Sequence, residues 1–356
     1  MLLCLTRVRV KIIHSGSRWV SGTHIRMNRA TREWVIYAPS RRIRPQDFQS
    51  KQTEVAPEAN QMASCPFCKP AGEFKETILL EIPNSDGGWQ TRVVANKFPA
   101  LSPELKPKRS LTGIYLELPG YGHHEVVIEN PDHLQNPAKM SIEEVSAIIE
   151  TYRQRYLELI TVRDNLFIII FRNHGKRAGA SLQHPHSQII ATPIVPRHYR
   201  WREDEAQRYF DEWGRCAYCD TMEFEIEDRQ RVVGENEQFL AFIPYAAEVP
   251  FEIWIMPKEH RADFGTITPT EVVAFARLLR EVLATLYTRL QNPDYNYAIM
   301  SAARYKIGEP QLHWYCQIHP RLTTPAGFEM GSGININPSL PEADAAFFNG
   351  LDEVDL

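Results

Sequence analysis

The sequence predicts an α+β protein in which one pattern of elements occurs twice. Three observations carry this. Each half holds a Cys-x-x-Cys pair, Cys65/Cys68 and Cys216/Cys219, followed by strand-like runs that end near a histidine, His133 or His260. Each half then shows an amphipathic helix opened by a capping box, Ser141/Glu144 or Thr268/Glu271. A further strand follows, then a segment that starts on a second histidine, His184 or His313. The intervals from His133 to His184 and from His260 to His313 are 51 and 53 residues. Self-similarity of this kind is the mark of an internal duplication.

The bulk composition narrows the function classes. The 356 residues are 43% hydrophobic and 24% charged, as in an ordinary globular protein, with a net charge of −4. No basic excess points to nucleic acid or an anionic membrane as main partner. No apolar run approaches the roughly 20 residues that span a bilayer. With no convincing secretory signal, a cytoplasmic location is expected, and spaced cysteine pairs favour metal binding over a disulfide framework. Cys4 and Cys316 are left over as ordinary thiols, Cys316 packed in the core.

Along the chain, residues 1–27 carry Arg7, Arg9, Lys11, Arg18 and Arg26, with no acidic residue before Glu33. This composition suits a transit peptide, or a start placed too early with Met27 as the true first residue. Either reading leaves 1–27 outside the fold, with a first repeat over 28–200 and a second over 201–356. Strands are expected at 33–38, 77–82, 90–95, 124–129 and 165–173. The first helix carries Val145, Ile148, Ile149, Tyr152, Tyr156 and Leu159 on one face. A charged helical linker around 201–214 leads to the second half. Its strands are expected at 251–260, 295–300 and 311–319, and its helix presents Val272, Phe275, Leu279, Val282, Leu283 and Leu286.

The chemistry concentrates in Ala178–Ala191. If this stretch is a strand, His184, His186 and Gln188 share one face. Alone, such a pair of histidines reads equally as metal ligands or as a satisfied core pair. The repeat divides them: His184 matches His313 and Gln188 matches Gln317, whereas His186 matches Tyr315. Cys65, Cys68, His133 and His184 form one Cys2His2 set, and Cys216, Cys219, His260 and His313 a second, with His319 a rival for the last place. Two thiolates and two imidazoles suit closed, structural zinc sites, so two zincs are expected. A redox role has less support, because neither pair opens a helix in a thioredoxin-like βαβ unit.

His186 then stays free as a nucleophile toward phosphorus. Arg41 and Arg44, set between prolines, and the amides of the Gly175–Gly179 turn are candidates to hold phosphoryl charge. Gln188 offers a neutral donor, with the alternative of a buried polar residue closing a hydrogen bond.

The His184-Pro-His-Ser-Gln188 motif, together with Glu33-Trp-Val-Ile, Ser40-Arg-Arg-Ile-Arg-Pro45, Asn96-Lys-Phe98, Asn173 and its glycine turn, Pro250-Phe-Glu and Pro257-Lys-Glu-His260, resembles the galactose-1-phosphate uridylyltransferase family, the transferase branch of the histidine-triad superfamily. The resemblance runs from about residue 28 to the C-terminus. It implies two tandem histidine-triad-like repeats forming an open half-barrel of mostly antiparallel strands with helices packed outside. It also implies double displacement through a nucleotidyl-histidine at His186. Arg41, Arg44, Ser181 and Gln188 would contact phosphates, Asn173 the nucleotide phosphate region, and Asn96 and Phe98 the base. The partners implied are a nucleotide sugar and a sugar 1-phosphate or phosphate, and the family suggests a homodimer.

The expected reaction is UDP-glucose:hexose-1-phosphate uridylyl transfer in galactose metabolism. Gly327-Phe-Glu-Met-Gly-Ser-Gly-Ile-Asn-Ile-Asn-Pro338, where the galactose enzymes carry a Tyr-Glu pair, looks more like plant-type ADP-glucose phosphorylases, which keeps an adenylyl version open. A histidine-triad hydrolase would carry a third histidine at Gln188. A zinc-stabilised binding module gives no reason for His186 to differ from Tyr315.

Overall fold

The computed structural model describes residues 22–39, 48, 62, 64–68 and 77–351. Near the start of this range β1 (His24–Met27) pairs antiparallel with β2 (Trp34–Tyr37), and β15 (Asn335–Asn337) joins β2 in parallel. The main sheet takes β3 (Ile78–Pro83), β4 (Trp89–Ala95), β7 (His123–Ile128), β8 (Phe167–His174) and β9 (His186–Thr192) from the first half. From the second half it takes β10 (Val232–Glu235), β11 (Phe239–Phe242), β12 (Ile253–Pro257), β13 (Tyr295–Met300) and β14 (Tyr315–Pro320). A separate hairpin joins β5 (Ser110–Thr112) and β6 (Tyr115–Glu117).

The strand order is β3-β4-β7-β9-β8-β13-β14-β12-β11-β10, and every neighbouring pair is antiparallel. Each half therefore lays down its strands in one order, and the halves meet through their fourth strands. The local twofold passes through the pairing of Phe171 with Ala298. In both halves this residue lies beside the glutamine of the final strand, Gln188 or Gln317. The sheet stays open, with β3 and β10 as its edges. This is the expected α+β half-barrel.

One face of the sheet carries α1 (Ile142–Thr161) and α4 (Pro269–Arg289), which occupy equivalent places in the two halves. Both capping boxes form: Ser141 Oγ accepts from Glu144 N–H at 3.1 Å, and Thr268 Oγ1 from Glu271 N–H at 3.3 Å. The apolar stripes read from the sequence pack against Val127, Ile170, Ile189, Ile253, Ile255, Ile299 and Ile318 in one core. Each such side chain contributes about 1.5–3 kcal/mol when fully buried. The Cys316 thiol is in this core, and burial pushes its pKa up.

The opposite face differs between the halves. Over the second half, α2 (Arg197–Trp213) and α3 (Ala217–Asp228) place Tyr199, Ala206, Tyr218 and Met222 on Leu240, Phe242, Trp254, Met256 and Tyr315. Over the first half, among the described residues, Phe67 and Trp89 pack on Val94, Val126 and Ile128, and Phe167 of β8 meets Tyr199 of α2 with ring centroids 4.3 Å apart. After β14 the chain forms α5 (Gly327–Ser332) and ends its described course in α6 (Pro341–Phe348). No helix among the described residues is long and apolar enough to cross a membrane.

Two boundaries read from the sequence need correction. Residues 24–27 are a strand of the fold, and Arg26, only 1% exposed, donates to Glu342 at 2.9 and 3.0 Å. Its charge serves a partner more than 300 residues away in sequence, which a compositional reading cannot register. The break drawn at residue 200 falls inside α2. That helix is no linker, because it buries Tyr199, Arg202, Glu205 and Ala206.

Candidate functional site

Both Cys2His2 sets converge. In each, the four ligand atoms lie within 4.8 Å of one another. Cys68 Sγ is 3.2 Å from His133 Nδ1 and 3.4 Å from His184 Nδ1, and Cys65 Sγ is 3.8 Å from His184 Nδ1. Cys219 Sγ is 3.3 Å from His260 Nδ1 and 3.4 Å from His313 Nδ1. A tetrahedral ion with bonds of about 2.3 Å to sulfur and 2.0–2.1 Å to nitrogen separates such atoms by about 3.5 Å, so both sets fit. The outer nitrogens are tied alike: His184 Nε2 donates to Asn130 O at 2.8 Å and His313 Nε2 to Pro257 O at 2.9 Å. That leaves each Nδ1 lone pair for an ion. His319 stands elsewhere, with Nε2 2.9 Å from Gln317 Nε2 and 3.3 Å from Glu252 Oε1. Cys216 does cap α3, but α2 precedes it, so no βαβ unit surrounds the pair.

His186 is the first residue of β9, two places beyond the metal-type His184. Pro185 between them accepts from Glu129 N–H at 3.0 Å, which fixes the entry to the strand. His186 Nδ1 lies 2.8 Å from His184 O, so that nitrogen carries the proton and Nε2 keeps its lone pair. Burial holds the ring below the usual histidine range and therefore neutral; the His184 carbonyl and Glu129 oppose this, and Arg172 adds to it. The Phe67 ring is 5.6 Å from His184 and 5.7 Å from His186, so both imidazoles, themselves buried, lie on the Phe67 side of the sheet.

Gln188 shares that face. His124 Nδ1 accepts from Ala100 N–H at 3.1 Å, which leaves Nε2 as donor to Gln188 Oε1 at 2.8 Å. The amide NH2 of Gln188 is then free to donate. Asn96 joins the same cluster, with Nδ2 3.0 Å from His124 Nε2 and Oδ1 accepting from Phe98 N–H at 2.8 Å. The Phe98 ring is 82% exposed, an open stacking surface. On the other side, the pairing of Arg172 with Ser187 brings Asn173 beside His186. Asn173 Oδ1 accepts from Asn296 Nδ2 at 2.7 Å. Ser181 is exposed in the segment leading to His184. Arg41 and Arg44 lie outside the described residues.

The glycine turn differs from expectation. Arg177 N–H donates to Asp294 Oδ2 at 2.5 Å, Gly179 N–H to Lys176 O at 3.1 Å and Ala180 N–H to Gly175 O at 3.1 Å. These amides hold the turn and are not offered to a phosphate. Gly175 has φ +83°, and a Cβ there would meet Asp294 Oδ1 at 2.0 Å, so the glycine allows this close approach.

Sequence reasoning missed His124, Asn296 and the network under β9. There the Tyr152 hydroxyl lies 2.7 Å from Ser187 Oγ and 2.7 Å from the Tyr297 hydroxyl, beside the buried Arg172–Glu129 pair at 2.9 Å. The strand register gives His124 a counterpart in the second half. Gln188 pairs with Val126 and Gln317 with Trp254, so His124 corresponds to Glu252.

The second half closes what the first leaves open. Tyr315, at the place of His186, stacks on Trp254 at 4.4 Å, and its hydroxyl accepts from Arg202 at 3.2 Å beneath α2. Gln317 donates its amide N–H to Glu252 at 2.8 Å.

Two family models match the chain: the N-terminal domain of galactose-1-phosphate uridyl transferase over residues 17–196 and its C-terminal domain over 202–325. The chain belongs to the galactose-1-phosphate uridylyltransferase family. It is thus one of a family of nucleotidyltransferases. An ADP-glucose phosphorylase of Arabidopsis thaliana is 36% identical over 324 residues, covering 89% of this chain and 90% of that protein. A galactose-1-phosphate uridylyltransferase of Thermotoga maritima is 28% identical over 332 residues, covering 90% and 96%. The crystal structure of an Arabidopsis thaliana ADP-glucose phosphorylase with bound ADP-glucose superposes with a TM-score of 0.78 at 32% identity, covering 94% of this chain and all of that one.

Proposed function

We propose that this uridylyltransferase-family protein transfers a nucleotidyl group from a nucleotide sugar to a phosphate acceptor through His186. The observation that carries the reading is the His186 ring, neutral, with Nδ1 donating to His184 O, which leaves Nε2 its lone pair. Nε2 attacks the α-phosphorus; a Nε2–P bond forms as the bridging P–O bond breaks, and the electron pair leaves with the sugar phosphate. As the imidazole becomes cationic, the Nδ1–H bond to the carbonyl strengthens. The Gln188 amide donates to a phosphate oxygen and gives water no base, so the intermediate survives until a phosphate acceptor attacks it. Ser181, Arg41 and Arg44 serve the phosphates, Asn173 the nucleotide phosphate region, and Asn96 and Phe98 the base. We assign zinc to both Cys2His2 sets, where it holds structure and leaves no open coordination position. The repeats over 28–200 and 201–356, with their boundaries adjusted to β1 and α2, stand as one catalytic and one structural copy.

For the donor we favour ADP-glucose with phosphate as acceptor. The 36% identity to the plant phosphorylase and the Gly327–Pro338 stretch support it. Uridylyl transfer between UDP-glucose and a hexose 1-phosphate is the second reading, supported by the family models and the Thermotoga maritima relative. Incubation with α-labelled ADP-glucose and, separately, UDP-glucose tests both. Acid-labile, base-stable label from ADP-glucose alone is the expected result; label from UDP-glucose alone reverses the assignment, and label from neither defeats the mechanism.

A further inference from the structure

The buried arginines of this fold rest on carboxylates: Arg26 on Glu342, Arg155 on Glu125, Arg172 on Glu129, Arg202 on Glu33 and Arg231 on Glu225. The half-buried Arg280, Arg304 and Arg321 do not; the first two donate to the backbone at Met140 O and Ile160 O. Arg321 follows β14 and is held among site side chains, by its backbone N–H on Asp294 O at 2.7 Å and its Nε on Asn296 Oδ1 at 2.5 Å. Among the described residues no carboxylate meets its guanidinium, and burial pulls its pKa down with no acid to oppose it. Its terminal nitrogens are not among the buried atoms left without a partner, so they are open to an incoming anion.

Its place in the sheet says which anion. Asn296 Nδ2 donates to Asn173 Oδ1 at 2.7 Å and to Ala178 O at 2.8 Å, and Asn173 lies beside His186. A polar line therefore runs His186, Asn173, Asn296, Arg321, crossing from β9 over β8 to β13. Two strand spacings are about 10 Å, within the combined reach of an arginine side chain and a diphosphate. Asn96, Phe98 and His124 lie on the other side of His186, toward β7 and β4, and meet Gln188 farther along β9.

We propose that Arg321, positioned by Asn296, binds the phosphate that leaves His186-bound phosphorus with the sugar and the phosphate that returns as acceptor. This rests on the nucleotidyl-histidine reading above. In the first step the departing phosphate gains the negative charge that Arg321 meets. In the second, a phosphate oxygen held there attacks phosphorus as the Nε2–P bond breaks. Inorganic phosphate and a sugar 1-phosphate share this chemistry.

The test is discharge of the labelled nucleotidyl-enzyme by inorganic phosphate and, in a parallel arm, by glucose 1-phosphate, in wild-type, Arg321→Gln and Arg321→Lys proteins. Arg321→Gln is expected to need about 10–100-fold more acceptor for half-maximal discharge, the loss typical of a charge-assisted bond. Arg321→Lys recovers part of that loss, and AMP or UMP, whichever wild type binds, binds all three equally. A shift in one arm only names the acceptor that Arg321 holds. Unchanged acceptor dependence in Arg321→Gln, or an equal loss of nucleoside monophosphate binding, overturns the inference alone. Wild-type protein that takes no label overturns the nucleotidyl-histidine reading and this inference with it.

Discussion

Gln188 and Gln317 occupy the same place in the two halves, yet only Gln188 has its amide NH2 to spare. His124 fixes its oxygen, whereas Glu252 takes the nitrogen of Gln317. Gln188→Ala should therefore slow nucleotidylation of His186 by about 10²-fold, the usual cost of one preorganised donor to a phosphoryl oxygen. Rapid-quench labelling checks this, and a rate within twofold of wild type would remove Gln188 from the reaction. A second residue-scale prediction concerns His174, whose Nε2 donates to Asn292 Oδ1 at 2.8 Å and whose ring stacks on Tyr295. Burial pulls its pKa from 6.5 to about 4. The unfolded chain then binds this proton at higher pH than the folded one, so the stabilisation is complete above the unfolded value and is lost as pH falls through the window from 6.5 toward 4. Urea midpoints across that window should decline less steeply for His174→Gln than for wild type. The sequence announced His184, His186 and Gln188 because they share a motif and a repeat register. It hid His124, Asn296 and Arg321 because their meaning depends on which strands become neighbours.

Helices α1 and α4 were legible because periodicity, capping boxes and apolar stripes all agree. Thr268 tests that agreement: Thr268→Ala should cost about 1 kcal/mol of stability, measured by urea denaturation, with activity retained. A cost near zero would mean that the tertiary packing of α4 alone holds its first turn. Strand β1 and helix α2 are hard to see in the sequence for a physical reason. Their decisive buried residues are charged, Arg26 with Glu342 and Arg202 with Glu33, and a paired charge in the interior looks in sequence like a solvated one. The glycine turn after β8 was recognised as special, but its amides turn inward to Asp294 and to the turn itself.

At the scale of the whole molecule, the two similar halves of one continuous sheet differ on one face: among the described residues, α2 and α3 cover it over the second half, while Phe67 and Trp89 pack on it over the first. The two metal-type sets should divide accordingly. Loss of the first frees His184, and through Pro185 it loosens the nucleophile; loss of the second frees α3 from the end of β12 and the segment before β14. Cys68→Ser is expected to carry about one zinc instead of two and to label at least tenfold more slowly. Cys219→Ser is expected to lose one zinc and melt earlier while still labelling. Metal analysis beside the labelling assay checks this pair, and equal labelling by Cys68→Ser and wild type would separate the first site from the chemistry.

In the proposed reaction His186 Nε2 carries the nucleotidyl group. The most direct measurement is mass spectrometry of the protein quenched at alkaline pH after exposure to ADP-glucose or UDP-glucose, with peptide mapping of the adduct. One nucleoside monophosphate on the peptide containing His186, absent from His186→Gly, is the predicted result. An adduct on any other residue, or an adduct that persists in His186→Gly, would move the nucleophile away from His186.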